Sequence, residues 1–153
     1  PPDGMKRMPI HASCVAIDGR GVLLRGASGS GKSDLALRLI DGGALLVADD
    51  QVELEVLGGV RFASPPDILA GKIEARGIGI LENLPWHQAP VAVVVDLVAR
   101  EDVERLPFER TCTIEGVELP SVLLSPFEAS TSAKIRSLIA SLEARCSTRD
   151  SIS

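Results

Sequence analysis

Apolar and polar residues mix at strand spacing from His11 to Ile17, Asp18-Gly19 marks a tight reversal, and Val22-Leu23-Leu24 reads as the buried strand that returns. The period then changes. Leu35, Ala36, Leu39 and Ile40 fall on one helical face from Ser33 onward, and Gly42-Gly43 supplies the left-handed stop such a helix needs. Ala44 to Ala48 is a short apolar run ending in Asp49-Asp50, the pattern of a buried strand with carboxylates at its C-terminal edge. Glu53 to Leu57 and Val60 to Ala63 flank Gly58-Gly59 as a second hairpin, which Pro65-Pro66 ends. A loop with Gly71, Gly77 and Gly79 follows.

Val91 to Val98 is the most hydrophobic stretch and is expected to be a central strand, with two further strand pieces around Gly116 between Thr111 and Ser125. Pro126 to Arg145 opens on a proline and places Ala133, Ile135, Leu138, Ile139 and Leu142 at helical spacing. Residues 1–9 carry prolines and charges without apolar period and are expected to be a flexible leader, with order beginning near Ile10; residues 147–153 are expected to be a disordered tail. The reading is therefore one α/β domain over 10–146, a mixed β-sheet with flanking helices.

A chain of 153 residues is about one domain long. Aromatics at 3% and the absence of Tyr leave the core to aliphatic side chains. The net charge of -5 and the lack of a Lys/Arg cluster exclude a broad nucleic-acid footprint, though not a nucleotide held mainly by backbone N–H groups. Cys14, Cys112 and Cys146 are odd in number and lack metal-ligand spacing, which points to a reducing, cytoplasmic compartment. No apolar run approaches the roughly 20 residues that span a bilayer, so no membrane partner is expected.

Chemistry is carried first by Gly26-Ala27-Ser28-Gly29-Ser30-Gly31-Lys32-Ser33, the GxxxxGK[ST] phosphate-binding loop, set between a strand and a helix. Its glycines permit positive φ and close backbone approach, so that successive N–H groups converge on phosphate oxygens. Lys32 is expected to bridge the β and γ phosphates and Ser33 to offer a hydroxyl to Mg²⁺. Such a site needs an acidic residue at a strand end, and two places supply one: Asp49-Asp50 and Asp96. Asp96 closes the better generic hydrophobic strand, whereas two adjacent carboxylates can divide labour between base and metal. Spacing does not choose between them, because successive strand residues point to opposite faces unless a bulge intervenes.

Four pieces of the chain resemble, in order, the catalytic domain of the HPr kinase/phosphorylase family: His11 on the first strand, the loop at 26–33, Val-Ala-Asp-Asp at 47–50, and Lys-Ile-Glu-Ala-Arg-Gly-Ile-Gly-Ile at 72–80. The resemblance implies a P-loop fold of the HPr kinase/PEP carboxykinase-like kind. It also implies ATP- and Mg²⁺-dependent phosphorylation of a seryl hydroxyl on the phosphocarrier HPr, with phosphorolysis of phosphoserine to pyrophosphate as a second activity. Carried over by position, Asp49 is the acid/base, Asp50 its polar or metal-shell neighbour, Glu74 with Ser33 the Mg²⁺ pair, His11 a neighbour of the acids, and Arg76 a loop-orienting or phosphate-facing group.

His87 and Trp86 read as surface or packing residues. A homohexamer is implied as well, and so is a short variant without the family's N-terminal domain. Where longer members carry a basic Gly-Arg-Asn type segment, this chain reads Pro-Ser-Val-Leu-Leu-Ser-Pro-Phe-Glu-Ala-Ser at 120–130, which leaves Lys134, Arg136 or a neighbouring subunit to supply the cation. Two other classes fit the loop alone: a small-molecule P-loop kinase, with Arg100, Arg105 and Arg110 as its lid, and a non-catalytic ATP sensor.

Overall fold

The computed structural model describes residues 8–106 and 109–152. Its strands are β1 (Met8–His11), β2 (Ser13–Ile17), β3 (Arg20–Arg25), β4 (Leu45–Ala48), β5 (Gln51–Leu57), β6 (Val60–Ser64), β7 (Ile73–Ala75), β8 (Gly79–Leu81), β9 (Ala89–Leu97), β10 (Arg110–Ile114) and β11 (Val117–Leu124). The two helices are α1 (Lys32–Asp41) and α2 (Thr131–Ile152). This is the mixed α/β architecture expected, a curled sheet with helices against one face.

The main sheet runs β1-β5-β6-β9-β3-β2-β4. β9 is its branch point: β3 lies parallel along one edge, while β6 pairs with Ala89 and Pro90 and β11 pairs parallel with Val94 to Leu97. The sheet therefore curls, and two cores form. Leu23, Val47, Val52, Leu54, Ala63, Val91, Val94 and Leu119 fill the space enclosed by the curl. Val22, Leu24, Val93, Val95 and Leu97 face the helices, packing on Leu35, Leu39, Ile135 and Ile139.

The run Val91-Ala92-Val93-Val94-Val95 serves both cores through one irregularity. Gly21 pairs with Val91 but Val22 with Val93, so the register slips at Ala92. One extra residue inverts the faces of everything after it, which puts Val91 and Val94 on one side and Val93 and Val95 on the other. Gly21 is required at this point. A Cβ there would lie 2.9 Å from the Pro90 carbonyl oxygen. Each fully buried leucine contributes about 2 kcal/mol relative to exposure.

Four expectations change. Regular pairing begins at Met8, since β1 pairs antiparallel with β5 from Met8 and Leu54 onward; the rest of the proposed leader, residues 1–7, lies outside the described residues. The expected loop with Gly71, Gly77 and Gly79 contains the β7–β8 hairpin, with Gly77 and Gly79 at positive φ and Ile73 buried against α1's core. The last helix starts at Thr131 rather than near Pro126, because Thr131 turns its hydroxyl back to the Ser125 carbonyl at 2.5 Å. Finally, the tail expected to be disordered from Ser147 is helical as far as Ile152: no Gly or Pro follows Pro126 to stop the ladder.

The parallel strands β3, β9 and β11 end at one edge of the sheet, and the loops after them converge there. β4, antiparallel to β2 as β2 is to β3, ends at that edge too. Ligands of such sheets bind at the carboxyl ends of the strands.

Candidate active site

The phosphate loop leaves β3 at Arg25 and enters α1 at Lys32. Gly29 and Gly31 hold φ of 79° and 96°, a region closed to most side chains, and Gly31 caps the helix in the left-handed conformation. Inside the loop the Ser30 amide donates to the Ala27 carbonyl at 2.9 Å. Lys32 is buried and folds back over its own loop, donating to the carbonyls of Gly26 at 2.8 Å and Ala27 at 2.9 Å. Both acceptors are neutral, so an anionic oxygen is the stronger partner for this ammonium. The Ser30 hydroxyl is buried and unpartnered in the same loop, and the first N–H groups of α1 have no intrahelical acceptor. The loop fits a polyphosphate tail.

Asp49 follows β4 and is buried. Its Oδ1 accepts from the Ser13 and Ser33 hydroxyls, both at 2.7 Å, and its Oδ2 accepts from the Glu74 amide at 3.1 Å. A carboxylate has about four lone-pair sites, so three donors leave one for a further hydroxyl. Asp50 diverges from it. With φ at 71° and the Gln51 amide donating to the Asp49 carbonyl at 2.8 Å, the chain makes a γ-turn, the sharp reversal that lets neighbouring carboxylates part. Asp50 is exposed and lies 3.3 Å from His11 Nε2.

Several strands thus deliver the site: His11 from the end of β1, Ser13 from the start of β2, Ser33 from α1, and the Glu74 amide from β7. Glu74 turns its own side chain to solvent, as does Arg76, which makes no hydrogen bond or ion pair with any described residue. Among the described residues, no three His, Cys, Asp or Glu side chains converge as a ready metal cage. Mg²⁺ needs no such cage, since that ion keeps waters and substrate phosphates and takes only one or two protein oxygens, a requirement that the Ser33 hydroxyl and one carboxylate would meet.

Asp96, the rival by pattern, is occupied otherwise. Arg25 grips it with two hydrogen bonds, Nε to Oδ1 at 2.8 Å and a terminal nitrogen to Oδ2 at 3.1 Å, across the β3–β9 pair. The hydrogen bond to Asp96 holds the Arg25 pKa above its usual value. Of the cations considered to replace the family's basic residue, Arg136 donates to the Leu39 carbonyl at the end of α1, and Lys134 pairs with Glu128 at 3.4 Å. Trp86 and His87 cover the edge of β4 beside Leu46.

Two features escaped the sequence reading. Ser13 sits fully buried in an apolar strand, and its signal was that isolation. The segment from Ser125 to Glu128 wraps over the loop, pinned by Arg38, which donates to the carbonyls of Pro126 and Glu128.

Residues 5–145 match the family model described as HPr Serine kinase C-terminal domain. A protein of Lactobacillus acidophilus named HPr kinase/phosphorylase is 39% identical over 129 residues, covering 76% of this chain and 40% of that protein. One of Polaromonas naphthalenivorans with the same name is 36% identical over 132 residues, covering 78% and 42%. The chain therefore spans about two-fifths of the length of these curated relatives. The solved Hpr(Ser) kinase/phosphatase from Coxiella burnetii superimposes with a TM-score of 0.82 at 31% identity, over 95% of this chain and 96% of that one. With a family model matched over residues 5–145 and this fold shared with a solved member, the chain belongs to the HPr serine kinase C-terminal domain family.

Proposed function

We propose that this chain is an ATP- and Mg²⁺-dependent kinase that phosphorylates a seryl hydroxyl of the phosphocarrier HPr and, in the opposite sense, uses inorganic phosphate to release the phosphoryl group as pyrophosphate. The observation that carries the proposal is the buried Asp49 carboxylate, 2.7 Å from the Ser33 hydroxyl of the phosphate loop and with one acceptor site left. Family membership and the names of the relatives support it.

In this reading the loop amides and Lys32 hold the polyphosphate, Lys32 exchanging its carbonyl partners for phosphate oxygens. Ser33 and Glu74 hold the metal, which when bound spreads the charge of the transferring group. Asp49 accepts the proton of the incoming serine as its oxygen attacks the γ-phosphorus, and returns it in phosphorolysis. Asp50 and His11 line the acceptor's approach, and Arg76 meets a phosphate or the carrier. The enzyme acts in the cytoplasm, as a homohexamer whose contacts use exposed apolar side chains such as Val56, Leu57 and Val60. No helix among the described residues is long and apolar enough to cross a membrane.

The test is to incubate the protein with labelled ATP, Mg²⁺ and HPr, locate the label, then add phosphate and follow pyrophosphate. Label on a seryl side chain is the expected result. Transfer to small metabolites instead, or binding of ATP without any transfer, would replace this reading by a small-molecule kinase or a nucleotide sensor.

A further inference from the structure

Beside the phosphate loop lies a cavity of about 580 Å³, within the range of small-molecule sites. Its walls come from the three loops that follow the parallel strands: Ala27 and Ser30 after β3, Leu97 to Arg100 at the end of β9, and Ser125 to Glu128 after β11. It is continuous with the loop through Ala27 and Ser30. A molecule whose anionic end occupies the loop has this space for its other end.

The lining is mostly apolar, and one member is out of place as a core residue. Phe127 is 75% exposed in a chain with only 3% aromatic residues. Its ring edge sits over Gly31, where a Cβ would lie 3.2 Å from Phe127 Cε1 and from Pro126 Cβ. Arg38 fixes the segment on either side of the ring by donating to the Pro126 and Glu128 carbonyls, so the exposed ring is held rather than loose. At the rim, Arg100 and Glu128 approach to 3.7 Å.

We propose that this cavity receives the base and ribose of the donor nucleotide, with Phe127 as the platform on which the base stacks and the Arg100–Glu128 pair at its polar rim. A planar heteroaromatic ring suits these walls. It gains dispersion on the phenyl face and on Leu97 and Val98, while its exocyclic and ribose polar groups reach the rim. The inference rests on the kinase reading above and goes further by separating the donor's two ends: the loop holds the tail, and the segment before α2 holds the base.

Calorimetric titration of the full chain with Mg-ATP and with Mg-tripolyphosphate, which has the tail and no base, tests the separation. Phe127→Ala is expected to weaken ATP about tenfold or more and to leave tripolyphosphate within about twofold, the loss that removing a base–aromatic stack gives. Phe127→Tyr, which keeps the ring, is expected to bind ATP like the unaltered protein. Thermal melts of both variants should match it, since the side chain is largely outside the core. The proposal is overturned if Phe127→Ala weakens both ligands equally, if it weakens neither, or if it leaves ATP affinity intact and raises the KM for the acceptor protein, which would give the ring to the acceptor. If the unaltered protein binds neither ligand, the kinase reading and this inference fall together; if it binds both and only the Phe127 contrast is missing, this inference alone fails.

Discussion

Asp49 and Asp96 each close a buried apolar strand at the same edge of the sheet, yet they have opposite surroundings. Asp96 meets a guanidinium in a two-point pair across neighbouring strands, which satisfies and neutralises it. Asp49 meets two hydroxyls and an amide, none of them charged, one hydroxyl belonging to the phosphate loop itself. A carboxylate held by neutral donors remains available as a base or a metal partner; one matched to arginine is a structural clasp. The partners, rather than the strand pattern, tell the two aspartates apart.

The largest test of that contrast is Asp49→Asn. Phosphoryl transfer to the carrier should fall by about a thousandfold while nucleotide affinity stays near that of the unaltered chain, as steady-state kinetics and titration would report. An active Asp49→Asn protein would remove the distinction altogether. Lys32→Ala comes next: loss of a charged hydrogen-bond donor to the tail should weaken ATP by about 10- to 100-fold, read by the same titration, with tripolyphosphate affected equally.

Asp96→Asn should do far less, changing kcat by about twofold at most. About a third of each partner in the Arg25–Asp96 pair is exposed, so screening limits the cost of breaking it to about 1 kcal/mol, measurable by denaturant unfolding. A collapse of activity in this variant with the fold intact would make the two aspartates equivalent. The smallest effect concerns Cys14, whose burial pushes its thiol up to about 12. An unfolded thiol titrates near about 8.5, so the folded state's hold on the proton is fully present below that pH and is lost as pH rises through about 12. At neutral pH, peptide mapping after alkylation should find Cys14 unmodified while the fold persists.

Much of this was legible in the chain because it is local. The hairpin before the loop, α1 with its glycine stop, the second hairpin around Gly58-Gly59 and the central strand all follow from periodicity and turn residues within a few positions. The β7–β8 hairpin does not follow from the sequence pattern because Gly71, Gly77 and Gly79 read as breakers, whereas Gly77 lies in the turn and Gly79 pairs with Ala75 as the first residue of β8. The slip at Ala92 could not be read either, since a run of valines carries no face of its own until another strand fixes its register.

The amino-acid order by itself determined the phosphate loop, because eight consecutive residues contain both the conformational freedom and the donors a polyphosphate needs. It also determined that Asp49 and Asp50 adjoin, and that Glu74 lies on a glycine-flanked segment. Only the tertiary structure decided which aspartate faces Ser33 and which faces arginine, how the γ-turn parts the two carboxylates, and that Phe127, about a hundred residues beyond the loop by chain order, lies over Gly31. Those are contacts between distant segments. They depend on the order and register in which strands assemble, which a residue's immediate neighbours do not encode.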